Sequence, residues 1–433
     1  MNSNIASQVK NNLLSAISEI EKQKDQYLIE PGNFFSRKRK ISFLDTILFT
    51  MLSMNNSLAT EIMNYFPEEN MPSPSAILQR KSRLQSDAFR DLFYSFTNTI
   101  PRTEKFMGYQ LVACDGTRLN LPYNPNDPKT FVQNIKNRKG INQMHMTVFY
   151  DCLNKIYLDA FMQYGNAINE HEAFCRMVDR YDYDIPTIFI ADRGFCSYND
   201  IAHVIHNQGF FLLRAPERTG WRNVIDPNVY AADFFDVDIS LTFTKSRKNI
   251  WKEKPNVCVI YSNRTYDYVK PNSDESDTID LRILKIGIGE GKKEMIVTNL
   301  PRDSFSASDI KELYNLRWGI ETSFRHLKYA SELVYIHSKN ENLRLQEIFA
   351  KLTLFNFASA IVLYSTKNSG DKKKRKYQYL PDFTRVVKAC VKYICGKLNN
   401  ILQYIQHCNV PVRPGRKFER NVTRQVERTL LYR

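Results

Sequence analysis

Acidic residues are in short supply in this sequence: 46 Asp and Glu face 61 Lys and Arg, leaving a formal net charge of +15. An imbalance of that sign reports attraction to phosphate polymers or anionic membranes and says nothing about fold. The eight cysteines, at 114, 152, 175, 196, 258, 390, 395 and 408, include no Cys-x-x-Cys pair. That spacing excludes a zinc ribbon or a thioredoxin-type site and leaves reduced, buried thiols as the expectation. Long hydrophobic runs are missing as well: Phe43 to Met54 and Leu352 to Ser365 stop short of the roughly 20 residues that cross a bilayer. With a polar opening, Met1-Asn2-Ser3-Asn4, the expectation is a soluble, cytoplasmic protein with no membrane partner.

What is present is ordinary globular material, 43% hydrophobic and 25% charged over 433 residues, which excludes wholesale disorder and leaves room for two or three cores. Apolar residues recur at helical spacing through Phe43, Ile47, Leu48 and Leu52 and again through Phe89, Leu92 and Phe96. Residues 1–105 are therefore read as a helical N-terminal domain, and its basic clusters, Ser36-Arg37-Lys38-Arg39-Lys40 and Arg80, Lys81 and Arg83, make it the candidate DNA-binding domain. A solvated charged face explains those clusters equally well. From Tyr109 short apolar strands take over: Gln110 to Cys114, His145 to Tyr150 and Lys155 to Met162. A helix from Asn169 to Arg180, a strand Thr187 to Ala191, a helix Tyr198 to Asn207 and a strand Phe210 to Arg214 follow. Three strands, then helix, strand, helix, strand, is the order of an α/β, ribonuclease H-like core.

That core is assigned to residues 106–215 and 300–366, interrupted by a β-rich insertion at 216–299 with an exposed acidic loop near 271–277. Residues 367–433 form a basic C-terminal region. Its 17 Lys or Arg against four acids hold most of the charge excess, and Lys372 to Lys376 read as a phosphate-seeking loop.

Asp115 and Asp192 each close an apolar strand, in Asp115-Gly116-Thr117 and Asp192-Arg193-Gly194, where a rigid strand can hold a working side chain at the sheet's edge. Either aspartate alone is more often a turn former or a helix cap. The spacing Tyr314-x2-Arg317-x3-Glu321-x6-Lys328 lies in an expected helix, Ser308 to Leu333. At about 100° per residue its four side chains fall within an arc of roughly 60°. Such a stripe suits phosphate, and it is also what a surface face with an i,i+4 ion pair looks like.

Together these motifs resemble the DDE transposases of bacterial insertion sequences, specifically the insertion-sequence-four family with its YREK signature. Thr298-Asn299-Leu300-Pro301 and Leu313-Tyr314-x2-Arg317-Trp318-x-Ile320-Glu321 carry the likeness, which runs from about residue 36 to Arg413-Pro414-Gly415-Arg416-Lys417. The resemblance implies a catalytic triad of Asp115, Asp192 and Glu321 holding two Mg2+ ions, with Mn2+ able to substitute. Such a pair of hard cations activates an attacking oxygen and steadies the departing one. It implies DNA phosphate contacts from Tyr314, Arg317, Lys328 and Arg193, terminal inverted repeats and target DNA as partners, and a homodimer in a paired-end complex. It further implies a hairpin intermediate, for which Trp221 and Trp251 are the candidate base-stacking residues, Trp318 being assigned to the core. His203 and His206 are read as packing or surface residues, and Leu352, Phe355, Ala358 and Val362 as a core face. Two alternatives remain: a transposase-derived DNA-binding protein without catalysis, and a ribonuclease H-like metal nuclease.

Overall fold

The computed structural model describes residues 2–37, 39–134, 137–216, 220–252, 254–261, 264–289, 292–334, 336–367 and 378–412. The basic segments at 372–376 and 413–417, and Lys38, lie outside them. Five helices come first: α1 (Asn2–Lys22), α2 (Phe43–Leu52), α3 (Leu58–Tyr65), α4 (Pro74–Ser82) and α5 (Asp87–Asn98). Their starts are set by short polar side chains. Ser42, Ser57 and Ser73 each accept a backbone N–H of the first turn, and Asp45 closes a capping box with Ser42.

The chain then lays down β1 (Gln110–Leu121), β2 (Phe131–Asn134), β3 (Asn137–Asp151), β4 (Ile156–Tyr164), α6 (Glu170–Asp179), β5 (Thr187–Ala191), α7 (Tyr198–His206) and β6 (Phe210–Ala215). β3 pairs antiparallel with both β1 and β4, while β1, β5 and β6 run parallel, giving the order β4-β3-β1-β5-β6. This is the ribonuclease H-like arrangement expected from the sequence. The parallel strands are buried on both faces, as their unbroken apolar text requires.

Next come α8 (Pro227–Ala231), β7 (Phe235–Thr244), α9 (Asn249–Lys252), β8 (Val257–Val259), β9 (Ser276–Gly289) and β10 (Lys292–Thr298). β10 pairs antiparallel with β6 through Met295↔Ala215 to Thr298↔Leu212, and β9 and β7 follow. The inserted strands therefore continue one ten-stranded sheet. The acidic loop is exposed, as expected, at Asp274, Glu275 and Ser276. Asp277 at its end is the exception: its carboxylate accepts from Tyr266 and contacts His206.

The two histidines of α7 hold this region down. His203 bridges Asp179 of α6 (2.7 Å) and Asp267 (3.0 Å), and His206 stacks on Tyr268. Burial alone lowers the His203 pKa, but its two carboxylate partners outweigh burial and leave it raised. A raised value in the folded chain means a contribution that is full below the unfolded value of about 6.5 and fades as pH climbs through the folded one. The thermal midpoint of His203→Gln should therefore trail wild type at pH 6, with the gap narrowing as pH rises. A gap that widened with pH would contradict this.

The last elements are α10 (Ala307–Leu316), α11 (Trp318–Arg325), a π-helical turn at His326–Ala330, α12 (Glu341–Lys367), β11 (Gln378–Pro381), α13 (Phe383–Ile394), α14 (Ile401–Gln406) and β12 (Asn409–Val412). α12 lacks Gly and Pro, and from Leu352 onward it is apolar nearly all round, as a helix that runs through a core must be. Its Glu341–Ser365 stretch is long and apolar enough to cross a membrane by composition, yet 78% of its most apolar 18-residue window is buried inside the protein. Phe349 and Phe357 pack on Phe93 and Phe96 of α5. Asn356 also clasps the edge strand β4. Its side chain accepts from the Tyr157 N–H at 2.8 Å and donates to the Tyr157 carbonyl at 2.7 Å, satisfying backbone that would otherwise be open to pairing. One face of the sheet carries α6 and α7; the other carries α5, α11 and α12.

Candidate active site

β1 and β5 run in register from Gln110↔Thr187 to Cys114↔Ala191, where β5 stops. β1 continues for seven residues, held by β3 alone through Asp115↔Val148 to Leu121↔Asn142. Asp115 and Asp192 are thus the first residues beyond the last shared rung of neighbouring strands. The reading of Asp115 as a strand end was wrong: it sits in mid-strand, and Gly116 makes no turn. Ten rungs of pairing with β3 override the turn-like chemistry of Asp115-Gly116-Thr117.

Side chains alternate across a strand, so Asp115 faces α11 while Gly116 faces α6. Burial pushes the Asp115 carboxyl up to about 6; the neighbouring charges of Glu321 and Glu170 add to this, against the Gly116 N–H (2.8 Å) and Arg317, which favour the anion. Asp192 accepts from the Arg193 N–H at 2.8 Å and stands 3.7 Å from Arg214, a residue of β6. Arg214 in turn pairs with Glu294 of β10 at 2.6 Å. Beside it lies a cavity of about 380 Å³ lined by Arg193, Arg214, Lys293 and Glu294.

Arg317 stands between the acids. It is buried, donates to Glu321 at 3.0 Å, and its charge acts on both Asp115 and Asp192. Its Nε and the Tyr314 hydroxyl are buried with no hydrogen-bond partner among the described residues. Two unpaired buried donors cost about 1–3 kcal/mol each, so an acceptor belongs there.

The helix beneath is not the uniform rod that the sequence spacing assumed. It tightens at Arg317, whose N–H bonds back to the Tyr314 carbonyl, and loosens into the π turn that carries Lys328. Tyr314 and Arg317 are consequently buried, Glu321 is 41% exposed, and Lys328 donates to the Arg118 carbonyl at 2.9 Å on the open stretch of β1.

The three acids are hard oxygen donors with no imidazole or thiol among them, the chemistry that suits Mg2+ or Mn2+. Among the described residues, however, no three Asp, Glu, His or Cys side chains lie close enough together to hold one ion. Glu321 is engaged by Arg317 instead. The tryptophans depart from expectation. Trp221 is 3% exposed and packs on Tyr198, so its ring presents no face to a base. Trp251 is half-buried with Lys254 over its ring. Trp318, assigned to the core, is 60% exposed, with the Arg317 guanidinium 5.9 Å from the centre of its ring.

Residues 107–357, more than half of the chain, match the family model described as Transposase DDE domain. The chain belongs to the DDE transposase family. Enzymes of this family cut DNA and transfer its strands, in general with divalent metal ions. The transposase for insertion sequence element IS421 of Escherichia coli is 31% identical over 84 residues, and so is the protein assigned as transposase InsL for insertion sequence element IS186A of strain K12. The match takes in 18% of this chain and 23% of each relative's length. Among solved structures, a piggyBac transposase synaptic complex with hairpin DNA aligns over 96% of this chain and 84% of its own, at a TM-score of 0.43 and 10% identity. That likeness is too distant to add to the strand order. Arg214 and Glu294 of this DDE transposase escaped the sequence reading, since the β5–β6 pairing sets Arg214 beside Asp192 and the β6–β10 pairing brings Glu294 to Arg214.

Proposed function

We propose that this chain is a cut-and-paste transposase of the insertion-sequence-four type, which binds the terminal inverted repeats of its element, cleaves them and joins the freed 3′ ends to target DNA. The observation that carries the reading is the placement of Asp115, Asp192 and Glu321 around Arg317, just where β1 outruns β5. Asp115, Asp192 and Glu321 would hold two Mg2+ or Mn2+ ions. When bound, such ions activate the attacking oxygen and stabilise the leaving one. The unpaired Arg317 Nε and Tyr314 hydroxyl suit phosphate oxygens, Arg317 acting as a planar fork, with Arg193 and Lys328 as flanking cations. Glu321 and Lys328 each have a protein partner that DNA and metal can replace. Trp318 is the exposed ring beside the acids on which an unstacked base could rest if cleavage passes through a hairpin. The N-terminal helices and the basic C-terminal region are assigned to end recognition, and a homodimer to the paired-end complex.

Purified protein and a labelled duplex bearing the element's end test this. Cleavage should appear with Mg2+ or Mn2+ and stop with a chelator, while the gel shift persists. A shift without cleavage in any divalent metal would favour a transposase-derived binder, for which the Arg317–Glu321 ion pair is the supporting contact. Hydrolysis without hairpin or joined product would favour a nuclease.

A further inference from the structure

We propose that Glu170 and His145 form a positioning clamp that fixes Asp115 from the opposite face of the sheet. The inference rests on the catalytic reading of Asp115 given above. His145 of β3 shares a face with Gly116, being paired across the strands with Arg118, and Glu170 opens α6 directly over them. Glu170 Oε1 lies 2.9 Å from His145 Nε2. A Cβ placed on Gly116 would come within 2.2 Å of Glu170 Oε1 and 2.3 Å of His145 Nε2, so the pair rests on bare backbone. Gly116 has no positive φ and makes no turn. Its lack of a side chain is what lets the pair close down on the strand.

The location gives the contact its consequence. Beyond Cys114, β1 has lost β5 as a neighbour, and the residue that must be held still is the first one past that point. Two contacts replace the missing strand. Lys328 ties the edge at Arg118, and the Glu170–His145 pair blocks movement toward α6 at Gly116. His145 is nearly buried and confined by its strand, whereas the Glu170 side chain is 39% exposed and held by α6, with Asn169 capping that helix. Glu170 is therefore the member that can be removed without opening the core. Groups that orient metal-binding side chains typically change affinity or activity about 10–100-fold when lost.

Glu170→Ala tests this, with Glu170→Gln as the variant that keeps the side chain's length and its 2.9 Å approach to His145 over Gly116. We expect Glu170→Ala to bind end DNA and to melt like wild type, to cleave about tenfold more slowly, and to need several-fold more Mn2+ for half-maximal rate. Mn2+ binding by the DNA-free protein, read by electron paramagnetic resonance, should weaken by the same factor, and Glu170→Gln should recover most of both. Gly116→Ala, whose methyl must displace the pair, should reproduce the Glu170→Ala result. Wild-type cleavage and metal dependence in Glu170→Ala would overturn the clamp, as would losses that merely track a lower thermal midpoint. If wild type itself does not cleave, the transposase reading fails first, and Mn2+ binding alone decides the clamp.

Discussion

Single replacement of Asp115, Asp192 or Glu321 by alanine is expected to lower cleavage of end-bearing DNA by at least about a thousandfold while leaving the gel shift intact. The three acids stand on β1, after β5 and on α11; Asp192 and Glu321 are each about 40% exposed and Asp115 is more buried, so the first two should be replaceable at little cost to folding. Asp115 offers a stricter version. Its carboxyl is pushed up to about 6, mainly by burial, from the usual aspartate value of about 3.9. A carboxylate raised in the folded state opposes folding wherever it must ionise, that is from about pH 4 upward and fully above about pH 6. Asp115→Asn should therefore melt at or above wild type at pH 7.5 without metal, the difference vanishing below pH 4. An inactive variant that is also less stable at pH 7.5 would mean the residue is structural. Full cleavage by any of the three alanine variants would remove the acid from the site.

Arg317 should matter nearly as much. Its guanidinium is buried, holds Glu321 at 3.0 Å, and is the cation whose charge reaches both aspartates. Arg317→Ala removes a cation whose charge acts on Asp115, Asp192 and Glu321 and takes away the unpaired donor offered to phosphate. A fall of about 100- to 1000-fold in single-turnover cleavage is expected, the scale of losing one donor aimed at developing charge. Arg317→Lys should lie between the two, because an ammonium replaces the charge without the fork. If lysine restored the full rate, only charge would be at work; if alanine cleaved normally, the cation would have no part in the reaction.

Much of this architecture could be read from residue order. Thr187–Ala191 is β5 to the residue, and α6, α7 and β6 fall within a residue or so of where their apolar periods placed them. These elements are short, strongly patterned and buried, so local text and tertiary demand agree. β1 shows where agreement ends. Asp115, Gly116, Thr117 and Asn120 look like a turn, and only pairing with a distant strand makes them extended. The stripe on α10 and α11 was legible as a set of residues but not as a surface, because a tight turn and a π turn rotate its members differently. Trp221 and Trp318 exchanged their expected places for a similar reason, exposure being a property of neighbours that no local pattern encodes. Arg214 and the Glu170–His145 pair left no trace, since residues far apart in the chain create them.

The hydrogen bonding of β10 to β6 makes the inserted region and the catalytic core a single stiff plate. A ligand that pulled on β9 or β7 would pull on the same hydrogen-bonded sheet. The load would pass along the backbone rungs into β6 and reach Arg214, and with it the neighbourhood of Asp192. Grip far out on the insertion and geometry at the acids are, in this molecule, mechanically the same event.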